Sequence, residues 1–255
     1  MIRGEINFNA GLMGDIAIAK NLRTPLYNFA VVIDDHEMGI THVIRGEDQI
    51  NNTTKQILFM EALGFSRPHY AHLSLILDPD RSKMSKRYSA TAIREYRDQG
   101  YLPEALINFM VLFGWHSKEE KEIFSLEELV KEFDLSRAQK AGAVFNVEKL
   151  NWLNAQYIKK LSEGELAEKL NLSPSEQNIK IIKLGKERMN KLSDFKNISS
   201  FFYQLPDYSP NLLIWKNQST ANTINILEEL KKAIDDPKAI MALADKKGRG
   251  EVLWP

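Results

Sequence analysis

The chain has 255 residues, 44% hydrophobic and 27% charged, with 34 basic and 34 acidic side chains and no cysteine. This is enough apolar material for one or two domains with a sizeable core, and it excludes wholesale disorder, a uniformly basic nucleic-acid binder, a disulfide framework and a thiolate site within these residues. No run approaches the roughly 18 apolar residues of a membrane span. Met1-Ile2-Arg3-Gly4-Glu5 also lacks a signal-peptide stretch, so a cytoplasmic protein with no membrane partner is expected.

Asp15 to Ala19 alternates and predicts a strand, and Lys20 to Pro25 carries turn chemistry. Tyr27 to Ile33 is an apolar run whose type periodicity leaves open. Ile40 to Ile44 predicts a strand that ends at Arg45-Gly46-Glu47-Asp48. Asn52 or Thr53 would cap a helix running to Leu63, with Gly64 as its stop, and Ala71 to Leu77 predicts a second buried strand. Residues 40 to 77 therefore read as a β-α-β unit.

After residue 92 the strand signals vanish. Helical periods recur at 93–99, 103–113, 126–133, 146–160, 163–170, 176–191 and 220–234. Pro103 suits a first helical turn, and Ser125 with Glu128 has capping-box spacing. Loose connections are expected at 171–175 and 205–211, and no internal repeat is present. A mixed first part followed by a helical remainder predicts α/β followed by all-α, in two kinds of domain.

The chemistry concentrates in Leu77-Asp78-Pro79-Asp80-Arg81-Ser82-Lys83-Met84-Ser85-Lys86-Arg87. From Arg81 to Arg97 there are six basic residues against one acid, Glu95. On charge alone this is a solvated basic loop or one that wraps a polyphosphate with ammonium and hydroxyl groups. Arg45 closes a predicted buried strand, the place where open α/β sheets bind ligands. A guanidinium there either grips a carboxylate in a bidentate manner or forms a structural ion pair with Glu47 or Asp48. Asp34-Asp35 suggests an acid pair, but adjacent helical residues do not face one site, so a solvated or capping role is expected.

Lys83-Met84-Ser85-Lys86-Arg87 resembles the KMSKS-type signature of class I aminoacyl-tRNA synthetases. Val43-Ile44-Arg45-Gly46-Glu47-Asp48, Asn52-Thr53 and Gln56-Ile57-Leu58 resemble the glutamyl-tRNA synthetase family within it. So do Pro25-Leu26-Tyr27-Asn28-Phe29-Ala30-Val31-Val32-Ile33-Asp34-Asp35, Gly39-Ile40-Thr41-His42 and Gly100-Tyr101-Leu102-Pro103-Glu104-Ala105. Gly142-Ala143-Val144-Phe145-Asn146 and Lys149-Leu150-Asn151-Trp152-Leu153-Asn154 extend the likeness, which is weakest from about Ser162 to Ala242. The family's H-x-G-H motif is missing. His69-Tyr70-Ala71-His72 has its spacing without the glycine and reads as a decoy just before the second strand. The chain thus reads as an interior fragment cut at both ends, without the family's inserted acceptor-stem domain.

The resemblance implies a partial Rossmann-like parallel sheet over 1–92, a helical stem-contact region over 93–150 and a truncated helical anticodon-binding domain over 151–255. It implies ATP-dependent attachment of L-glutamate to tRNA(Glu) through glutamyl-adenylate, with the isolated fragment inactive and the intact protein a monomer. By the same resemblance Lys83, Ser85 and Lys86 are catalytic, and Lys83, Met84, Ser85, Lys86, Arg87 and Asp48 face ATP. Tyr27, Val31 and Arg45 would line the glutamate pocket, with a core aromatic the other reading of Tyr27. Mg²⁺ would arrive with ATP, and no protein-bound metal is expected.

The rival readings are a non-catalytic tRNA-binding module and, less favoured, glutaminyl-tRNA synthetase, which continues into β-barrels where this chain reads helical. Residues 151 to 200 carry nine basic and six acidic side chains, a thin RNA-binding signal. Trp152, Trp215 and Phe201-Phe202-Tyr203 are expected in the core, and Lys246-Lys247-Gly248-Arg249 is expected as an exposed basic turn.

Overall fold

The structure, a computed structural model, describes residues 2–84 and 92–253. It divides into two compact units, residues 1–199 and 200–255. In the first, a small antiparallel hairpin pairs β1 (Ala19–Asn21) with β2 (Thr24–Pro25). The strand predicted over Asp15 to Ala19 is thus displaced: the β1 ladder begins at Ala19, just after Ile18 O accepts from Leu26 N, where the Leu22-Arg23 turn folds the chain back. Helix α1 (Tyr27–Glu37) resolves the ambiguous apolar run.

Strand β3 (His42–Gly46), helix α2 (Ile50–Leu63) and strand β4 (His69–Leu73) form the expected β-α-β unit, with β3 and β4 parallel and His42 opposite His69 through Gly46 opposite Leu73. Helix α2 starts before the predicted caps. Thr53 lies inside it and donates its hydroxyl to the Gln49 carbonyl one turn back. Gly64 ends the helix in the left-handed region at φ 70°, a conformation that costs an L side chain and suits glycine. The second predicted strand breaks at Ser74-Leu75, because its last two residues change sheets: β5 (Ile76–Leu77) pairs in parallel with β6 (Ala143–Val144). This late strand corrects the expectation that strands end at residue 92; two residues are too short to show an alternation.

Helices then follow as α3 (Ile93–Asp98), α4 (Pro103–Gly114), α5 (Leu126–Glu132), α6 (Val147–Lys160), α7 (Glu163–Lys169), α8 (Glu176–Gly185) and α9 (Asp194–Tyr203). Pro103 sits in the first turn of α4. Ser125 Oγ accepts from Glu128 N while Glu128 Oε2 accepts from Ser125 N, the reciprocal capping box. The helix predicted over 176–191 stops at Gly185 and tightens into a 3₁₀ turn at Lys186–Arg188.

The main apolar core is helical. Ala105, Ile158, Leu166, Ile182, Met189 and Phe195 form one cluster, and Tyr96, Tyr101, Phe109, Phe145, Leu150 and Leu153 form a second. Two buried asparagines pin the helices. Asn154 Oδ1 accepts from Leu102 N at 2.8 Å, and Asn108 Oδ1 accepts from Phe124 N at 2.8 Å while its Nδ2 donates to the Glu122 carbonyl at 2.8 Å. The second unit packs Ile226 of α10 (Thr220–Ala233), Ala244 of α11 (Pro237–Lys247) and Val252 of α12 (Arg249–Leu253) around one small core. Among the described residues, no helix is long and apolar enough to cross a membrane.

Candidate active site

Helix α2 buries Thr53, Gln56 and Met60 at three- and four-residue spacing, so two polar side chains lie on its inward face. Buried polar groups need partners, and here the partner is Arg45, from the end of β3. Arg45 Nη2 donates to Thr53 Oγ1 at 2.6 Å and to Gln56 Oε1 at 2.7 Å. Gln56 Nε2 in turn donates to Asn28 Oδ1 at 3.0 Å, and Asn28 Nδ2 donates to Asn52 Oδ1 at 3.2 Å. On the other side Thr53 Oγ1 lies 2.9 Å from His72 Nε2. Tyr70 offers its ring face to the guanidinium, 5.5 Å from centroid to Cζ.

The two carboxylates considered as ion-pair partners for Arg45 are engaged elsewhere. Glu47 pairs with Arg3 and accepts from Leu75 N, and Asp48 pairs with Lys83. Arg45 is therefore held by neutral groups among the described residues. Asp35 feels its charge without a hydrogen bond: burial pushes the Asp35 carboxyl up, and Arg45 partly offsets that. Its neighbour Asp34 is exposed, so the two adjacent acids do occupy different surroundings.

The basic segment begins as a hairpin. Leu77 and Lys83 bridge in antiparallel fashion, Met84 N donates to Ile76 O at 3.0 Å, and Asp80 Oδ1 accepts from Ser82 N to set the turn. Strand alternation then sends neighbouring side chains opposite ways. Met84 packs against the Tyr96, Phe109 and Phe145 cluster, while the Lys83 ammonium reaches Asp48 Oδ2 at 3.0 Å. That hydrogen bond holds the Asp48 carboxyl below its ordinary range. Ser85, Lys86 and Arg87 lie outside the described residues.

Tyr27 opens α1 and is 57% exposed, which corrects its reading as a core aromatic; Val31, one turn on, is half-buried. His72 corrects a second expectation. His69 to His72 lie within β4 rather than before it, and His72 is buried against the Arg45 frame. The sequence reading placed none of Asn28, Thr53, Gln56 and His72 in the site. The signal available was the i, i+3 spacing of Thr53 and Gln56 on one face of a helix that follows a strand-terminal arginine.

A cavity of about 400 Å³ opens beside Thr53, Tyr70 and His72 and is lined also by Arg3 and Ile57. Among the described residues, no group of three or more His, Cys, Asp or Glu is placed to hold a metal. Four of the five aromatics expected in the core are surface groups instead. Trp152 is 40% exposed with the Lys149 ammonium 4.3 Å from its ring, and Phe201, Phe202 and Tyr203 are exposed. Trp215, only partly buried, lies where a Cβ at Gly250 would strike its indole. In the basic turn, Lys247 pairs with Glu229 and Arg249 with Asp245.

Residues 1–152 match the catalytic domain of the class I tRNA synthetases (E and Q), well over half of the chain. The chain belongs to that family. Residues 126–244 also match an anticodon binding domain. The glutamate–tRNA ligase of Carboxydothermus hydrogenoformans is 44% identical over 80% of this chain and 45% of its own length. That of Natranaerobius thermophilus is 39% identical over 98% of this chain and 55% of its own. The crystal structure of a glutamate tRNA ligase from Elizabethkingia meningosepticum in complex with its amino acid superimposes with a TM-score of 0.85 at 35% identity, over all of this chain and 58% of the other. The chain spans about half the length of the relatives it matches. The family's architecture agrees with the one described: short parallel strands in a mixed α/β part, then a helical anticodon-binding region.

Proposed function

We propose that this chain carries the glutamate-binding cation and the ATP-facing loop of a glutamate–tRNA ligase. Glutamate's α-carboxylate attacks the α-phosphorus of ATP and pyrophosphate leaves; a terminal ribose hydroxyl of tRNA(Glu) then attacks the glutamyl carbonyl, losing its proton as AMP departs. The observation that carries this reading is the contact of Lys83 with Asp48, three residues beyond Arg45. It brings the start of the cationic loop to the segment that follows the guanidinium-bearing strand, so one region offers charge to both a triphosphate and an acidic amino acid.

Displacement at phosphorus asks the protein for positioning and charge stabilisation more than for covalent chemistry. On this reading Lys83, Ser85 and Lys86 stabilise the phosphate oxygens, with Met84, Arg87 and Asp48 shaping the ATP side. Arg45 receives a glutamate carboxylate, and Tyr27 and Val31 border it. ATP arrives with Mg²⁺ as its substrate complex, and the work belongs in the cytoplasm, where charged tRNA is consumed. The anticodon-binding match over residues 126–244 supports tRNA as the partner.

The test is glutamate-dependent ATP–pyrophosphate exchange by this chain joined behind the first half of the catalytic domain of the Elizabethkingia relative. Exchange is expected, with Lys86→Ala lowering it about 10²–10³-fold, the usual loss for one transition-state donor. Arg45→Ala is expected to raise the glutamate KM far more than the ATP KM. No glutamate-dependent exchange, or exchange indifferent to both substitutions, would overturn the reading.

A further inference from the structure

A guanidinium has two edges that grip a carboxylate with parallel hydrogen bonds. The end-on edge uses Nη1 and Nη2, and the side-on edge uses Nε and Nη2. Both need Nη2. In Arg45 that nitrogen is already committed, with Thr53 Oγ1 at 2.6 Å and Gln56 Oε1 at 2.7 Å taking its two hydrogens. The Nε–H is buried without a hydrogen-bond partner. The end-on and side-on grips are therefore both closed, and Nη1 is the nitrogen left to meet a ligand. This corrects the expectation of a bidentate grip by Arg45.

The groups that hold Nη2 are themselves fixed. Gln56 is 2% exposed, and its amide can face Arg45 with oxygen only because Asn28 Oδ1 accepts from its nitrogen. Asn52 and Gln49 continue that chain of amides, with Asn52 Nδ2 donating to Gln49 Oε1 at 2.8 Å. Thr53 gives its own hydrogen to the Gln49 carbonyl, which leaves its oxygen free to accept from Arg45 and from His72. Every one of these holders is uncharged except by protonation of His72, and burial together with Arg45 keeps that ring on the neutral side. The holders of Nη2 thus add no counter-charge to the guanidinium, which loses its freedom to rotate.

The geometry points to Gln56 and Thr53 as positioning residues that clamp Arg45 so that it meets a glutamate carboxylate through Nη1 alone. The inference rests on the function proposed above and adds how the acid is distinguished from its amide. A single-nitrogen contact has little bidentate shape to select with, so selection comes from a charge that its hydrogen-bond holders do not neutralise. A carboxylate at position 56 would cancel that charge without emptying the site.

The test uses the 255-residue chain with ¹⁵N-labelled arginine, observed by NMR. In the wild type, Arg45 should show resolved Nη protons with slow rotation of Nη2. Gln56→Met and Thr53→Val should each speed that rotation, while the backbone amide spectrum away from α2 stays in place. L-glutamate should move the Nη1 protons and spare Nη2, L-glutamine should move neither, and Gln56→Glu should weaken the glutamate effect about tenfold or more. Averaged Nη protons in the wild type, rotation unaltered in both variants, or glutamate moving Nη2 would overturn the clamp. No movement of Nη1 at saturating glutamate would overturn the ligand assignment. An intact clamp signature together with an exchange-dead chimera would support the clamp and remove only the ligase reading.

Discussion

The Lys83 ammonium lies 3.0 Å from Asp48 Oδ2, although the two residues are 35 apart in sequence. Both side chains are solvent-facing, and exposed pairs contribute little to global stability. Their effect is local: the pair ties the first lysine of the basic segment to the turn that follows β3. Asp48→Asn should leave Tm unchanged and speed amide exchange at Met84, whose N–H is bonded to Ile76 O. Because the Asp48 carboxyl is held below its ordinary 3.8, the tie is complete above that value and is lost as pH falls through the depressed one. Equal Met84 exchange in variant and wild type would show that the pair does not restrain the loop.

His72 supplies a second pH dependence, of the same sign but in a higher pH window. Burial first, and Arg45 next, lower its pKa from the ordinary 6.5, so the unfolded chain binds the extra proton more readily than the folded one. Its contribution is fully present above 6.5 and declines as pH falls below that value toward the lowered one. Urea midpoints should drop between pH 7.5 and 5.5 in the wild type and drop less in His72→Gln, whose amide can still donate to Thr53. An identical pH slope in both proteins would release His72 from this part.

Gly142 stands where a side chain has no room. A Cβ there would lie 2.9 Å from Leu77 Cδ1 and 3.1 Å from Leu75 O. Gly142→Ala should therefore push β6 from β5 and cost about 1–3 kcal/mol, as overpacking does. The check is amide exchange at Phe145, whose N–H donates to Leu77 O at 2.8 Å. Unchanged protection there would mean the neighbours yield without strain.

Asn108 is fully buried and serves Phe124 N and Glu122 O, with the Tyr157 hydroxyl also on its oxygen. Asn108→Ala strands a backbone donor and a backbone acceptor in the helical part. A loss of about 2–4 kcal/mol is expected from urea unfolding. A loss under about 0.5 kcal/mol would indicate that water replaces the amide.

The β-α-β unit and most helices were legible because their signals are local. Ile40 to Ile44 is rich in β-branched residues and runs into an arginine, Gly64 stops α2, and Pro103 and Ser125 mark helix starts that the structure places within a residue. Helix α11 was equally legible, with Asp236 as its cap and Pro237 in its first turn, and was missed for want of a strong apolar stripe. Strand β6 was not legible, since two residues have no period and their pairing with Ile76–Leu77 spans more than sixty residues of chain. The frame around Arg45 fell between these cases. Its members come from α1, β3, α2 and β4, and only folding brings an asparagine, a threonine, a glutamine and a histidine together around one guanidinium.

The pairing of Ile76–Leu77 with Ala143–Val144 also orders events during synthesis. A nascent chain that has emerged only as far as α4 holds its lysine-rich turn on an unfinished base, because the strand that completes the ladder is still inside the ribosome. Seating of the Leu77–Lys83 hairpin on its base must wait for residue 145, whereas the Arg45 frame is complete once His72 is out. The Arg45 frame therefore matures first on the ribosome, and the base beneath the basic turn follows.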